Sequence, residues 1–142
     1  MYLDADERLV VASQKQIRQL ISTASEDVGA YFVTIESDHR KLDGSSEKHR
    51  GGYPRLFRNL IYPNISFIGR VHEQISPSII AQKKNLVRSD IVIEHLGYNL
   101  SADEMSDKVQ RNYRMLIAHV NEDPTNGYAW FQLGQTLGQM EL

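Results

Sequence analysis

Gly29-Ala30-Tyr31-Phe32-Val33-Thr34-Ile35-Glu36-Ser37 is the stretch that decides the fold. Aromatic and β-branched side chains crowd it, which suits a pleated, half-buried surface, so it reads as a strand. Upstream, Ser13 and Gln16 stand three apart as a capping box, and Ile17, Leu20 and Ile21 follow at helical spacing up to Ala24. That segment is expected to be an amphipathic helix flanking the sheet. Further upstream, Met1-Tyr2-Leu3 runs into Asp4-Ala5-Asp6-Glu7, a short strand emptying into an acidic loop.

Downstream, residues 38–52 are polar and contain three glycines, so they read as a long flexible loop. Residues 53–59, 65–69 and 86–96 have strand-like composition and are separated by Pro63, Asn64, Pro77 and a Lys83-Lys84 turn. With residues 29–37 they are expected to form a small mixed or antiparallel sheet. The character then changes. Ser101 and Glu104 make a second capping box, and Met105, Val109, Tyr113, Leu116, Ile117 and Val120 mark one face of a helix. Asp123-Pro124-Thr125-Asn126 stops it, and Tyr128, Phe131 and Leu137 reappear at helical spacing. Helices over residues 102–122 and 126–138 are expected to pack as an αα-hairpin.

The chain has 142 residues, of which 41% are hydrophobic and 24% charged, enough for a modest core. A net charge of -2, with 16 Lys and Arg interspersed among 18 Asp and Glu, offers no basic field for a nucleic-acid backbone. Without any cysteine there is no disulfide, thiolate metal site or cysteine nucleophile. No apolar run approaches the ~20 residues needed to span a bilayer, and no charged n-region precedes an apolar stretch. The expectation is a cytoplasmic protein with neither a transmembrane segment nor a nucleic-acid partner.

Asp4 and Asp6 stand two apart at the end of a strand, so a turn would aim both carboxylates at one point. Mg²⁺ or Mn²⁺ prefers hard oxygen ligands and keeps several waters, so two carboxylates plus a substrate diphosphate suffice; the alternative is a solvated acidic turn. In Arg55-Leu56-Phe57-Arg58 the strand period puts Arg55 and Phe57 on one side and Leu56 and Arg58 on the other. Either arginine fork suits phosphate oxygens or serves as a surface charge. In Gly69-Arg70-Val71-His72-Glu73, Glu73 is placed to take a proton, while His72 is a candidate for metal, phosphate or its own neighbours. His95, near the end of Asp-Ile-Val-Ile-Glu-His-Leu-Gly-Tyr (residues 90–98), is either a satisfied strand-end histidine or a third ligand.

In this order, Leu3-Asp4-Ala5-Asp6-Glu7-Arg8, Tyr53-Pro54-Arg55-Leu56-Phe57-Arg58, Gly69-Arg70-Val71-His72-Glu73 and Ile93-Glu94-His95-Leu96-Gly97-Tyr98 carry a resemblance. The chain resembles family 2 glycosyltransferases that bear tetratricopeptide repeats, close to the lipooligosaccharide β-1,4-glucosyltransferase branch. Asn121-Glu122-Asp123-Pro124-Thr125-Asn126 and Ala129-Trp130-Phe131-Gln132-Leu133-Gly134 are similar to the start of such a repeat. The implied fold class is α/β, here an α+β segment. Residues 1–100 would be the C-terminal half of a GT-A domain with a mixed sheet, and residues 101–142 a helical extension leading into a tetratricopeptide repeat.

By that resemblance Asp4 and Asp6, with His95 as a further candidate ligand, hold Mn²⁺ or Mg²⁺. Asp4 and Asp6 also bind the diphosphate of a nucleotide-sugar donor, a UDP-hexose, for which Arg55, Arg58 and His72 are further candidates by residue type. Glu73 deprotonates the acceptor in an inverting, single-displacement reaction. The acceptor is a glycan, a lipid-linked or a protein hydroxyl, and the helices offer a surface to a protein partner. Such enzymes place ~80–100 residues before the Asp-x-Asp strand and repeat arrays run to about three units, so the segment is expected to be truncated at both ends and inactive alone. A non-catalytic interaction module derived from such an enzyme is the alternative. A small regulatory domain binding metal through Asp4, Asp6, Glu7 and a histidine is the third reading.

Overall fold

A computed structural model describes residues 1–40, 46–59, 65–96 and 102–140. Among these the order is β1 (Glu7–Leu9), α1 (Val11–Thr23), β2 (Val28–Arg40), β3 (Ser46–Phe57), α2 (Ser76–Ala81), β4 (Asn85–His95), α3 (Ala102–Glu122) and α4 (Gly127–Met140). The chain forms two compact units, one from Met1–Ser66 with Ile75–Asn99 and one from Phe67–Gln74 with Leu100–Leu142.

The first unit is built on a four-stranded mixed sheet in the order β1-β4-β2-β3. β2 runs parallel to β4 and antiparallel to β3, while β1 lies antiparallel on β4 with Glu7 opposite His95. The period of two along β2 turns Tyr31, Val33 and Ile35 to one face, where they bury with Leu56, Ile91 and Ile93. Ile17, Leu20 and Ala24 close that face at helical spacing. Each fully buried aliphatic side chain there contributes about 1.5–3 kcal/mol relative to exposure. On the opposite face Ala30 packs with Ile75 and Ile79. Gly29 allows this approach, because a Cβ on it would stand 2.5 Å from Ile79 Cγ2.

Several expectations are corrected. The short strand lies after the acidic turn rather than before it: Met1-Tyr2-Leu3 forms no strand, and Tyr2 N donates to the Arg55 carbonyl at 3.2 Å. Helix α1 begins at Val11 behind an uncapped Val10, and Ser13 does not cap it. The buried Ser13 hydroxyl instead accepts from the Val92 amide at 2.9 Å, continuing β4's pairing where β1 ends. Much of the expected loop over residues 38–52 is hairpin, since β2 and β3 pair out to Arg40 opposite Ser46. Cross-strand charge sustains these polar arms: Glu36 pairs with Arg50 at 2.7 Å and with Lys48 at 3.8 Å. Residues 65–69 form no strand; only a bridge joins Ile68 to Gln74. Helix α2, unforeseen in the sequence, starts with Pro77 in its first turn, where a missing N–H costs nothing.

The second unit is a helical hairpin. Val109, Leu116 and Val120 of α3 are buried, and the last two form a core with Ala129 and Leu133 of α4 and with Val71. Asp123 accepts from the amide and hydroxyl of Thr125, and Asn126 caps α4 by accepting from the Ala129 amide at 3.0 Å. The bond from Thr125 holds the Asp123 carboxyl below its usual range. Ser101, half of the second expected capping box, lies outside the described residues, as do Gly97 and Tyr98.

Candidate functional site

Asp4, Ala5 and Asp6 form the turn into β1, closed by a hydrogen bond from Glu7 N to the Asp4 carbonyl, 3.0 Å, and one from Asp4 N to Glu7 Oε2, 3.0 Å. The β3 period delivers Arg55 beneath that turn. Its Nη2 donates to Asp4 Oδ2 at 3.0 Å and to Glu7 Oε1 at 2.7 Å. The Arg55 and Glu7 side chains are 9% and 1% exposed, against 57% for Asp4, so the Arg55–Glu7 pair is the anchor and Asp4 the accessible partner. The Tyr2 ring covers the guanidinium, 4.2 Å from its centre. Tyr2 also meets the Phe57 ring at 6.0 Å, as expected if Arg55 and Phe57 share a side of β3. Burial, partly offset by the Arg55 charge, pushes the Tyr2 hydroxyl above its ordinary value. The Arg55 Nε is buried with no hydrogen-bond partner among the described residues.

Asp6 takes a different partner. Its Oδ2 lies 3.2 Å from His95 Nε2, because the β1–β4 register sets the turn beside the end of β4. The structure therefore brings Asp4, Asp6, Glu7, Arg55 and His95 to one end of the sheet. Arg58 is placed elsewhere: its guanidinium donates to the carbonyls of Val28 at 2.8 Å and Ser25 at 2.9 Å, fixing the entry to β2. Those contacts give Arg58 a structural post.

The fit of these residues to a divalent cation follows from the donor set. Asp4 and Asp6 are about half exposed, and each meets a protein partner through one oxygen, Oδ2. Two such carboxylates match an ion that keeps waters and takes its remaining oxygens from a diphosphate. Among the described residues no group of three or more His, Asp or Glu side chains stands where it could hold a metal ion, so Asp4, Asp6, Glu7 and His95 do not form a ligand set by themselves. His95 is Asp6's partner there.

His72 and Glu73 belong to the second unit. Reciprocal backbone bonds between Ile68 and Gln74, 2.9 and 2.8 Å, close the loop that carries them. Gly69 has φ +112°, a conformation open to glycine, and His72 sits at φ 55° in the left-handed region that non-glycine residues seldom adopt. Partial desolvation, then the Lys108 ammonium, holds the His72 imidazole below 6.5, with Glu73 pulling the other way. Glu73 is exposed and forms no ion pair among the described residues. Gln74 and Tyr128, which hold the loop through the His72 carbonyl, went unremarked as site residues in the sequence. The contact spans 56 residues, and nothing in local spacing signals it.

No protein-family model matches the chain, and no curated protein matches it. No described helix is long and apolar enough to cross a membrane.

Proposed function

We propose that this chain carries the metal–diphosphate and acceptor-side residues of a glycosyltransferase that moves a sugar from a nucleotide-sugar donor, a UDP-hexose, to an acceptor hydroxyl. The observation that carries the reading is the Asp4-Ala5-Asp6 turn, whose two half-exposed carboxylates are tethered by Arg55 and His95. Asp4 and Asp6 would hold Mn²⁺ or Mg²⁺, which when bound supplies positive charge to the leaving diphosphate. Arg55 supports the turn from below through Glu7 and adds a fixed positive charge next to the donor's phosphates. Glu73 takes the proton of the acceptor hydroxyl, its carboxylate exposed and without an ion-pair partner among the described residues. The sequence motifs support the same assignment and add a GT-A architecture for the sheet and a tetratricopeptide identity for α3 and α4.

A second reading is favoured by α4. That helix bears no charged residue between Gly127 and Met140 and leaves Trp130 50% and Phe131 58% exposed, as an interaction module would. Calorimetry on the chain tests the donor-site reading. A donor site takes up Mn²⁺ strongly only with UDP present, and Asp6→Asn weakens that uptake. Equal Mn²⁺ binding with and without UDP points to a metal-regulated domain, and no binding of Mn²⁺ with UDP sinks the donor-site reading.

A further inference from the structure

We propose that the α3–α4 hairpin is the mount of the Glu73 loop, with Val71, Gln74 and Tyr128 acting as positioning residues; the proposal rests on the reading of Glu73 as the base. A catalytic carboxylate must be held within about 0.5 Å of its productive position, and a loop achieves this only when neighbouring residues lock it. Here the locks are Val71 and the His72 carbonyl just before the base, and Gln74, paired with Ile68 through the backbone, just after it. Two residues before it, Val71 is 8% exposed and buried among Leu116, Val120, Ala129 and Leu133. One residue before it, the His72 carbonyl accepts from Gln74 Nε2 at 3.0 Å and from the Tyr128 hydroxyl at 3.3 Å. Gln74 Nε2 also donates to that hydroxyl at 2.9 Å, which closes a three-cornered network.

That network fixes the peptide joining His72 to Glu73. It also explains how His72 stays at φ 55°, a conformation costing a residue with a Cβ about 1–2 kcal/mol. At the other end of the loop, Arg70 Nη2 donates to Glu122 Oε1 at 2.6 Å. This pair is 46% and 59% exposed and adds little compared with the buried valine. All of these partners sit on α3, α4 or the loop itself. The helical hairpin thus sets where Glu73 points without touching substrate.

Tyr128→Phe keeps the ring and removes the hydroxyl; Gln74→Met removes the other donor while keeping length, so either variant tests the network if the other folds poorly. In the 142-residue chain, amide exchange at Ile68 and Gln74 is expected to quicken at least about tenfold, while exchange at Leu116 and Val120 stays unchanged. In a sugar-transfer assay, kcat is expected to fall about 10- to 100-fold with KM for the nucleotide-sugar unchanged. Unaltered loop exchange in both variants overturns the mount. Faster loop exchange with full kcat overturns the positioning role while the base reading stands. Full rate in Glu73→Gln overturns the base reading itself.

Discussion

Two of the exposed turns that present carboxylates are held by different means. The turn at Asp4 and Asp6 is fixed chiefly by the charge of a buried arginine that grips Glu7 and Asp4, and a histidine side chain meets Asp6. The loop at Glu73 is fixed by backbone bonds, a carbonyl network and a buried valine, with no cation on the carboxylate among the described residues. The difference matches the chemistry proposed for each. Carboxylates that collect cations work well in a framework of fixed charges, and a carboxylate that must accept a proton works better with no guanidinium locked onto it.

Removing the anchor of the charged turn should have the largest effect. Arg55→Ala leaves the buried Glu7 carboxylate without its cation, so unfolding free energy should fall by about 3–5 kcal/mol in urea titrations followed by circular dichroism. A loss under about 1 kcal/mol would mean that Glu7 reorients into water and the turn is not charge-fixed. Removing the plug of the Glu73 loop comes next. Val71→Ala deletes two methyl groups from a site 8% exposed and should cost about 2 kcal/mol, read by the fluorescence of Trp130, the single tryptophan. An unchanged midpoint would remove the valine from the account.

The smallest effect is that of pH on the loop. Because the folded loop depresses His72 below 6.5, it favours the neutral imidazole. Its contribution to loop stability is therefore complete above 6.5 and is lost as pH falls toward the depressed value. Lys108 on α3 repels the imidazolium, and Glu73 partly offsets this. Since His72 remains solvent-exposed, the change should be modest: Ile68 and Gln74 amides, corrected for intrinsic exchange, should lose some protection below that pH. Rising protection on acidification would reverse the assigned cause.

Periodicity made β2, β4, α3 and α4 legible, because alternating Tyr31, Val33 and Ile35 and the helical spacing of Val109, Leu116 and Val120 leave few other ways to bury those side chains. It was silent where tertiary partners decide. Ser13 has the spacing of a cap but bonds to β4, and Glu36, Lys48 and Arg50 look like loop residues until they pair across a hairpin. Residues 65–69 have strand composition, yet Gly69 turns the chain before a ladder can form. For the site, Asp4, Asp6, Arg55 and His95 were legible as chemically apt types, and the sheet register gathers them. Arg58 was equally apt by type, but three carbonyls near the entry to β2 claim it. Tyr128 and Gln74 were not legible, since their importance lies in one distant carbonyl.

The division of labour between the two turns is tested most directly by comparing Glu73→Gln with Asp6→Asn in a sugar-transfer assay, measuring turnover and UDP binding at saturating Mn²⁺. Glu73→Gln should slow the chemical step by about 10²- to 10⁴-fold with UDP binding little changed, while Asp6→Asn should weaken UDP binding as well as turnover. Full activity in Glu73→Gln, or loss of UDP binding equal to that of Asp6→Asn, would contradict the assignment of proton transfer to one turn and donor binding to the other.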